Sequence, residues 1–192
     1  MYLFFDTETT GLPRNWRAPV TDVDNWPRLV QLAFLYYDED GHQLSAGDDI
    51  IKPDGFLIPS NATRIHGIST ERATAEGKPL KEVLHSFQER IAQAQVLVAH
   101  NISFDEKIVG SELIRAGMNN LLESKREICT MRSSTDFCAL SGTYGNKWPK
   151  LSELHYKLFG TGFEEMHNAA HDIQATARCF WELKRRGVLD TR

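Results

Sequence analysis

The stretch from Pro79 to Ala99 constrains the fold more than any other part of the chain. Behind Pro79, a residue suited to the first turn of a helix, Leu80, Val83, Leu84, Phe87 and Ile91 recur at helical spacing. This is an amphipathic helix, with His85 off the apolar stripe and expected in solvent. Val96-Leu97-Val98-Ala99 follows, apolar without alternation. Such a strand is covered on both faces, and a helix leading into it is a crossover from an earlier parallel strand. The earlier strand is the apolar run Tyr2 to Phe5. The chain is therefore α/β.

The other elements fill in around that crossover. Leu29 to Tyr37 is rich in strand formers, Asp38-Glu39-Asp40-Gly41 reads as a hairpin turn, and Gln43 to Ile51 is the partner strand. With Tyr2 to Phe5 they predict an antiparallel meander. Short helical turns are expected over Ser60 to His66 and Ser69 to Ala75, and a helix from near Ser103 to about Ala116, stopped by Gly117. A short strand at Ile128-Cys129 and a helix over Met131 to Phe137 come next. After a loop, Ser141 to Pro149, Leu151, Leu154, Leu158 and Phe159 mark a helix ahead of Gly160. The last helix spans about Asn168 to Arg186, with Ile173, Ala177, Phe180 and Leu183 as its stripe. Residues 1–192 are expected to form one domain, without repeats or an internal linker. The long polar loop from Pro13 to Pro27 carries Trp16 and Trp26, which either anchor it to the body or make it a lid over a nucleotide.

Four carboxylates fall at element ends. Asp6 and Glu8 are two apart, so on a strand they share a face. Like charges so placed repel unless a cation lies between them; alone, the pair also fits an exposed acidic turn. Asp105 falls in the first turn of its helix, where the helix dipole alone would justify it. Asp172 borders the stripe of the last helix. His167 is expected in the loop entering that helix, able to swing over a site, whereas His171 is set on a different face and is a decoy. Sites in open α/β sheets gather outside strand ends, and oxygen-rich sites suit Mg²⁺ or Mn²⁺. Two such ions roughly 4 Å apart would serve phosphodiester hydrolysis, with His167 taking a proton from the attacking water.

Net charge is −4, so the chain has no domain-wide basic footprint for nucleic acid; a metal-dependent enzyme brings its own positive charge. Cys129, Cys138 and Cys179 form no C-x-x-C and read as reduced thiols, arguing against zinc or a disulfide. No signal peptide or membrane span is evident, and the cytoplasm is the expected location.

Together the motifs resemble those of DnaQ-like 3′→5′ exonucleases of the DEDDh group, related to the proofreading ε subunit of bacterial DNA polymerase III. The matching pieces are Asp6-Thr7-Glu8-Thr9-Thr10-Gly11-Leu12, Ile65-His66-Gly67-Ile68, His100-Asn101-Ile102-Ser103-Phe104-Asp105 and His167-Asn168-Ala169-Ala170-His171-Asp172. They follow the family's order. Asn168 stands where the tyrosine subclass would carry Tyr, so the resemblance is to the histidine subclass.

The resemblance implies an RNase H-like fold, a five-stranded mixed sheet flanked by helices. It implies that Asp6, Glu8 and Asp172 hold one of two divalent ions, that Asp6 bridges to the second, that Asp105 acts through water, and that His167 is the general base. Thr9, Gly11 and Leu12 would seat the 3′-terminal nucleotide, with Ile65, His66 and Phe104 flanking it; a helix-end cap explains His66 equally well. The implied partner is a nucleic acid 3′ end, single-stranded DNA foremost, with DNA polymerase association open. The Pro13 to Pro27 loop exceeds the compact family pattern, so a differently shaped entrance is expected. Neither a C-terminal polymerase-binding extension nor a clamp-binding peptide is evident, which leaves stand-alone repair or trimming level with proofreading. An exoribonuclease and a non-catalytic binding module of the same fold are the alternatives.

Overall fold

In the computed structural model, which describes residues 1–162 and 168–189, the chain folds around one five-stranded mixed sheet. Strands β1 (Tyr2–Thr9), β2 (Leu29–Tyr37) and β3 (Gln43–Ile50) form the expected antiparallel meander. Helices α1 (Ser60–His66), α2 (Thr70–Glu76) and α3 (Leu80–Gln93) lead to β4 (Val96–Ala99), which runs parallel to β1. Helix α4 (Ile102–Arg115) crosses to β5 (Arg126–Cys129), parallel to β4. Then come α5 (Thr130–Ser133), α6 (Thr135–Cys138), a hairpin of β6 (Ser141–Gly142) and β7 (Gly145–Asn146), α7 (Leu151–Phe159) and α8 (Ala169–Arg185). The sheet order is β3-β2-β1-β4-β5.

The alternation of β1 divides the core. Leu3 and Phe5 face one layer, where Phe5 packs against Phe87 of α3 with ring centroids 5.5 Å apart. Tyr2 and Phe4 face the other, where Phe180 of α8 meets Phe4 edge-on at 5.0 Å. Val83, Leu84, Phe87 and Ile91 of the predicted stripe are all buried, and His85 is exposed. Ile173, Ala177, Phe180 and Leu183 are buried likewise. Among the described residues, no helix is long and apolar enough to cross a membrane.

Three local expectations are revised. Strand β1 does not stop at Phe5 but runs through both acids to Thr9, because β2 keeps pairing with it as far as Leu29. The helix expected over Met131 to Phe137 is broken in two at Ser134, whose hydroxyl donates to the Thr130 carbonyl at 2.7 Å and competes with the helical ladder. The loop from Ser141 to Pro149 contains the small β6–β7 hairpin.

The Pro13 to Pro27 loop is fastened at several points. Trp26 is buried and its indole N–H donates to the Pro19 carbonyl. Asn15 and Asn25 exchange two hydrogen bonds. Behind them, one oxygen of the buried Glu112 accepts from Arg28 Nε at 2.8 Å and the Leu29 N–H at 3.0 Å, and pairs with Arg115 at 3.0 Å. Arg115 in turn donates to the carbonyls of Val23 and Trp26. Removing one partner of a buried ion network leaves the others uncompensated, at about 3–5 kcal/mol. Glu112→Ala should therefore lower the thermal midpoint by roughly 10 °C, read by circular dichroism; a change under about 2 °C would show that the network does not hold the loop.

Candidate active site

Asp6 and Glu8 extend the face of β1 that begins with Tyr2 and Phe4, the face covered by α8. The start of α8 is fixed there from two sides. Asn168 caps it, its side chain accepting from the His171 N–H, and the Ala169 N–H donates to Gln31 Oε1 at 3.3 Å. Gln31 lies opposite Glu8 in register and is anchored in turn to Asp48 at 2.6 Å. One turn in, Asp172 reaches the acids of β1. One ligand oxygen from each of Asp6, Glu8 and Asp172 lies within 4.8 Å of the others.

Asp105 arrives from the opposite layer. Strand β4 pairs with β1 only as far as Phe4, so the N–H of Thr7 has no strand partner on that side. Asp105 takes its place: Oδ1 accepts from the Thr7 N–H at 3.1 Å and from the Thr7 hydroxyl at 2.7 Å. The sharp strand-to-helix turn that delivers it passes through Asn101, whose φ of 75° is left-handed, a conformation Asn tolerates better than most residues.

Crowding four acids has an electrostatic cost. Burial pushes the Asp6 carboxyl well above its ordinary range, and the charges of Asp105, Glu8 and Asp172 push it further. Glu8 is raised to about 8, by burial and then by Asp172 and Asp105. Asp105 is raised by burial to about 7, even with the two Thr7 hydrogen bonds pulling the other way. A hard divalent cation suits this donor set, which is all carboxylate oxygen and electrostatically unsatisfied. Among the described residues a second acidic group, Asp38, Asp40 and His42, is explained by its turn: Asp38 Oδ1 accepts from the N–H groups of Asp40 and His42.

The predicted rim residues are placed as follows. The Thr9 hydroxyl donates to the Gly11 carbonyl at 2.7 Å and closes the turn, leaving Leu12 73% exposed beside the acids' strand end. Ile65 is exposed, whereas the neighbouring His66 is buried. His66 Nδ1 accepts from the Ile68 N–H at 3.2 Å, the cap contact, while the Thr9 carbonyl partly offsets the lowering of its pKa by burial. Phe104 is half-buried and packs against Trp16 of the long loop at 5.6 Å. His171 Nδ1 lies 3.6 Å from Asp172 Oδ1. His167 lies outside the described residues.

A cleft of about 460 Å³ opens onto Asp6 and Asp172, walled by His100, Met131, Trp148, Pro149, Lys150 and Leu151. Sequence reasoning missed the parts played by Thr7, Gln31 and His100. The adjacency of Thr7 to both acids was a signal; the roles of Gln31 and His100 depend on strand register and loop placement.

The exonuclease family RNase_T matches residues 3–180. The PolC-type DNA polymerase III of Streptococcus suis is 32% identical over 177 residues, 92% of this chain and 11% of that protein. A DNA polymerase III subunit epsilon-like protein of Rhodobacter capsulatus is 32% identical over 185 residues, 95% of this chain and 23% of that protein. The chain thus spans a quarter or less of the length of these relatives. Among solved structures, E. coli exonuclease I in complex with a dT13 oligonucleotide matches with a TM-score of 0.77 at 20% identity, over 96% of this chain and 41% of that one, a likeness of fold. The family match runs from the first strand into the last helix, and this chain belongs to the DnaQ-like exonuclease family.

Proposed function

We propose that the domain hydrolyses single-stranded DNA from the 3′ end, releasing nucleoside 5′-monophosphates. The observation that carries this reading is the meeting of Asp6, Glu8 and Asp172 oxygens within 4.8 Å at the mouth of a cleft, with Asp105 fixed beside them on Thr7. Asp6, Glu8 and Asp172 would hold divalent cations, Mg²⁺ or Mn²⁺, with Asp105 acting through water. Bound there, two such ions supply an activated water and neutralise charge on the leaving oxygen.

The chain's own residues do the rest. The Thr9–Leu12 turn receives the terminal 3′-OH with its backbone, and Leu12 wedges against the last base. Phe104, His66 and Ile65 flank the terminal nucleotide, contacts that tolerate any base. His167 accepts the proton of the attacking water at its imidazole. The polymerase names of the relatives and the dT13 bound to exonuclease I favour DNA over RNA, and a proofreading or repair setting in the cytoplasm.

The test is a 5′-labelled DNA strand and its RNA counterpart, each incubated with the protein and Mg²⁺, with EDTA as the blank. A ladder shortening from the 3′ end of the DNA is the expected result. Faster shortening of the RNA would reassign the substrate, and intact strands in both Mg²⁺ and Mn²⁺ would sink the reading.

A further inference from the structure

Trp148 is a large apolar side chain that the core does not use. It is 60% exposed, while α7 directly after it packs through Leu151, Leu154 and Leu158. It forms part of the wall of the cleft that holds Asp6 and Asp172. The backbone beyond it is pinned: His100 Nε2 lies 3.0 Å from the Pro149 carbonyl, and His100 Nδ1 lies 3.0 Å from the Thr130 hydroxyl. A carbonyl only accepts, so Nε2 carries the proton and donates.

Cations accompany the ring. The Arg132 guanidinium lies 5.9 Å from the Trp148 ring centroid and also donates to the Ser103 hydroxyl at 3.1 Å, next to Phe104. Lys150 lines the same wall. An exposed indole beside a pinned backbone carbonyl, with Arg132 over its ring and Lys150 on the same cleft wall, in a chain of net charge −4, is complementary to a nucleic acid single strand: base on ring, phosphate on cation.

We propose that Trp148 is the stacking platform for the base on the 5′ side of the scissile phosphate, with Arg132 and Lys150 meeting the backbone phosphates there. This rests on the exonuclease reading, in which Leu12 and Phe104 occupy the terminal nucleotide and leave the next one to this wall. The platform gives the site its hold on the strand that remains after each cleavage.

The experiment uses the Asp6→Asn protein, so that no strand is cut, and fluorescein-labelled dT8 followed by anisotropy. A second probe has the same backbone with abasic sites everywhere except the 3′-terminal nucleotide. Adding Trp148→Ala should weaken dT8 binding by about tenfold or more, and Trp148→Phe by less than about threefold because a ring remains. On the abasic probe Trp148→Ala should change affinity by less than about twofold, since no base is present to stack. Equal weakening on both probes, or no weakening on either, overturns the proposal. If the Asp6→Asn parent binds no dT8, the comparison is made on the cleaving protein, where Trp148→Ala should raise KM for dT8 and an unchanged KM overturns the platform. A protein that cuts no strand in Mg²⁺ or Mn²⁺ sinks the exonuclease reading, and binding that ignores Trp148 overturns the platform alone.

Discussion

Asp6→Asn should lower 3′ nucleotide release from single-stranded DNA by about a thousandfold or more. Asp6 feels all three of the other acids, so its carboxylate sits at the centre of the cluster's negative field. Substitution by an amide of the same shape removes that charge without changing volume. A metal held there would contribute several kcal/mol of transition-state stabilisation, and about 4 kcal/mol corresponds to a thousandfold in rate. The fold should not suffer, because burial and the neighbouring acids already disfavour a charge at this position when no metal is bound. Single-turnover rates on a 5′-labelled strand, paired with thermal unfolding in EDTA, separate the two effects. A variant that loses the rate while its midpoint in EDTA is kept or raised is the expected result. A rate within about tenfold of the parent would remove Asp6 from the centre of the chemistry.

What the sequence revealed depended on whether a feature was local or relational. The α3 stripe and the unbroken apolar run of β4 are local patterns, and they led directly to a parallel crossover beside β1. The shared face of Asp6 and Glu8 follows from strand alternation alone. The length of β1 was harder to read, because Asp6 to Thr9 are polar and their strand conformation is imposed by β2 across the sheet. Asp105 was legible as a helix-start acid, but its bond to Thr7 exists only because β4 ends early. Gln31 looked like one polar residue in a core strand; its task of holding the start of α8 depends on the register of β2 and on Asp48. The contact of Trp16 with Phe104 required the path of a long loop, which no periodicity encodes.

Without divalent cations, the protein should become less stable as pH rises from about 5 to about 8. The folded state holds Glu8 at about 8 and Asp105 at about 7, with Asp6 well above its ordinary value. In the unfolded chain the same groups titrate near 4. Between those limits the folded protein binds more protons than the unfolded one, so stability falls with pH. The contribution is complete below about pH 4 and gone once the folded groups have ionised. His66 and His155, lowered by burial, act in the opposite sense near neutrality, so the decisive quantity is a difference between variants. Glu8→Gln carries no titrating proton at that position and should unfold at a higher temperature than the parent in EDTA at pH 8, with little difference at pH 5. A gain of only about 3 kcal/mol would appear as roughly 6–12 °C in a chain of this size. Mg²⁺ should raise the parent's midpoint at pH 8 far more than at pH 5, where protons already neutralise the acids it would bind. It should raise that of Glu8→Gln less. A parent midpoint in EDTA that lies level with or above that of Glu8→Gln at pH 8 would mean that the cluster carries no stored repulsion for a cation to relieve.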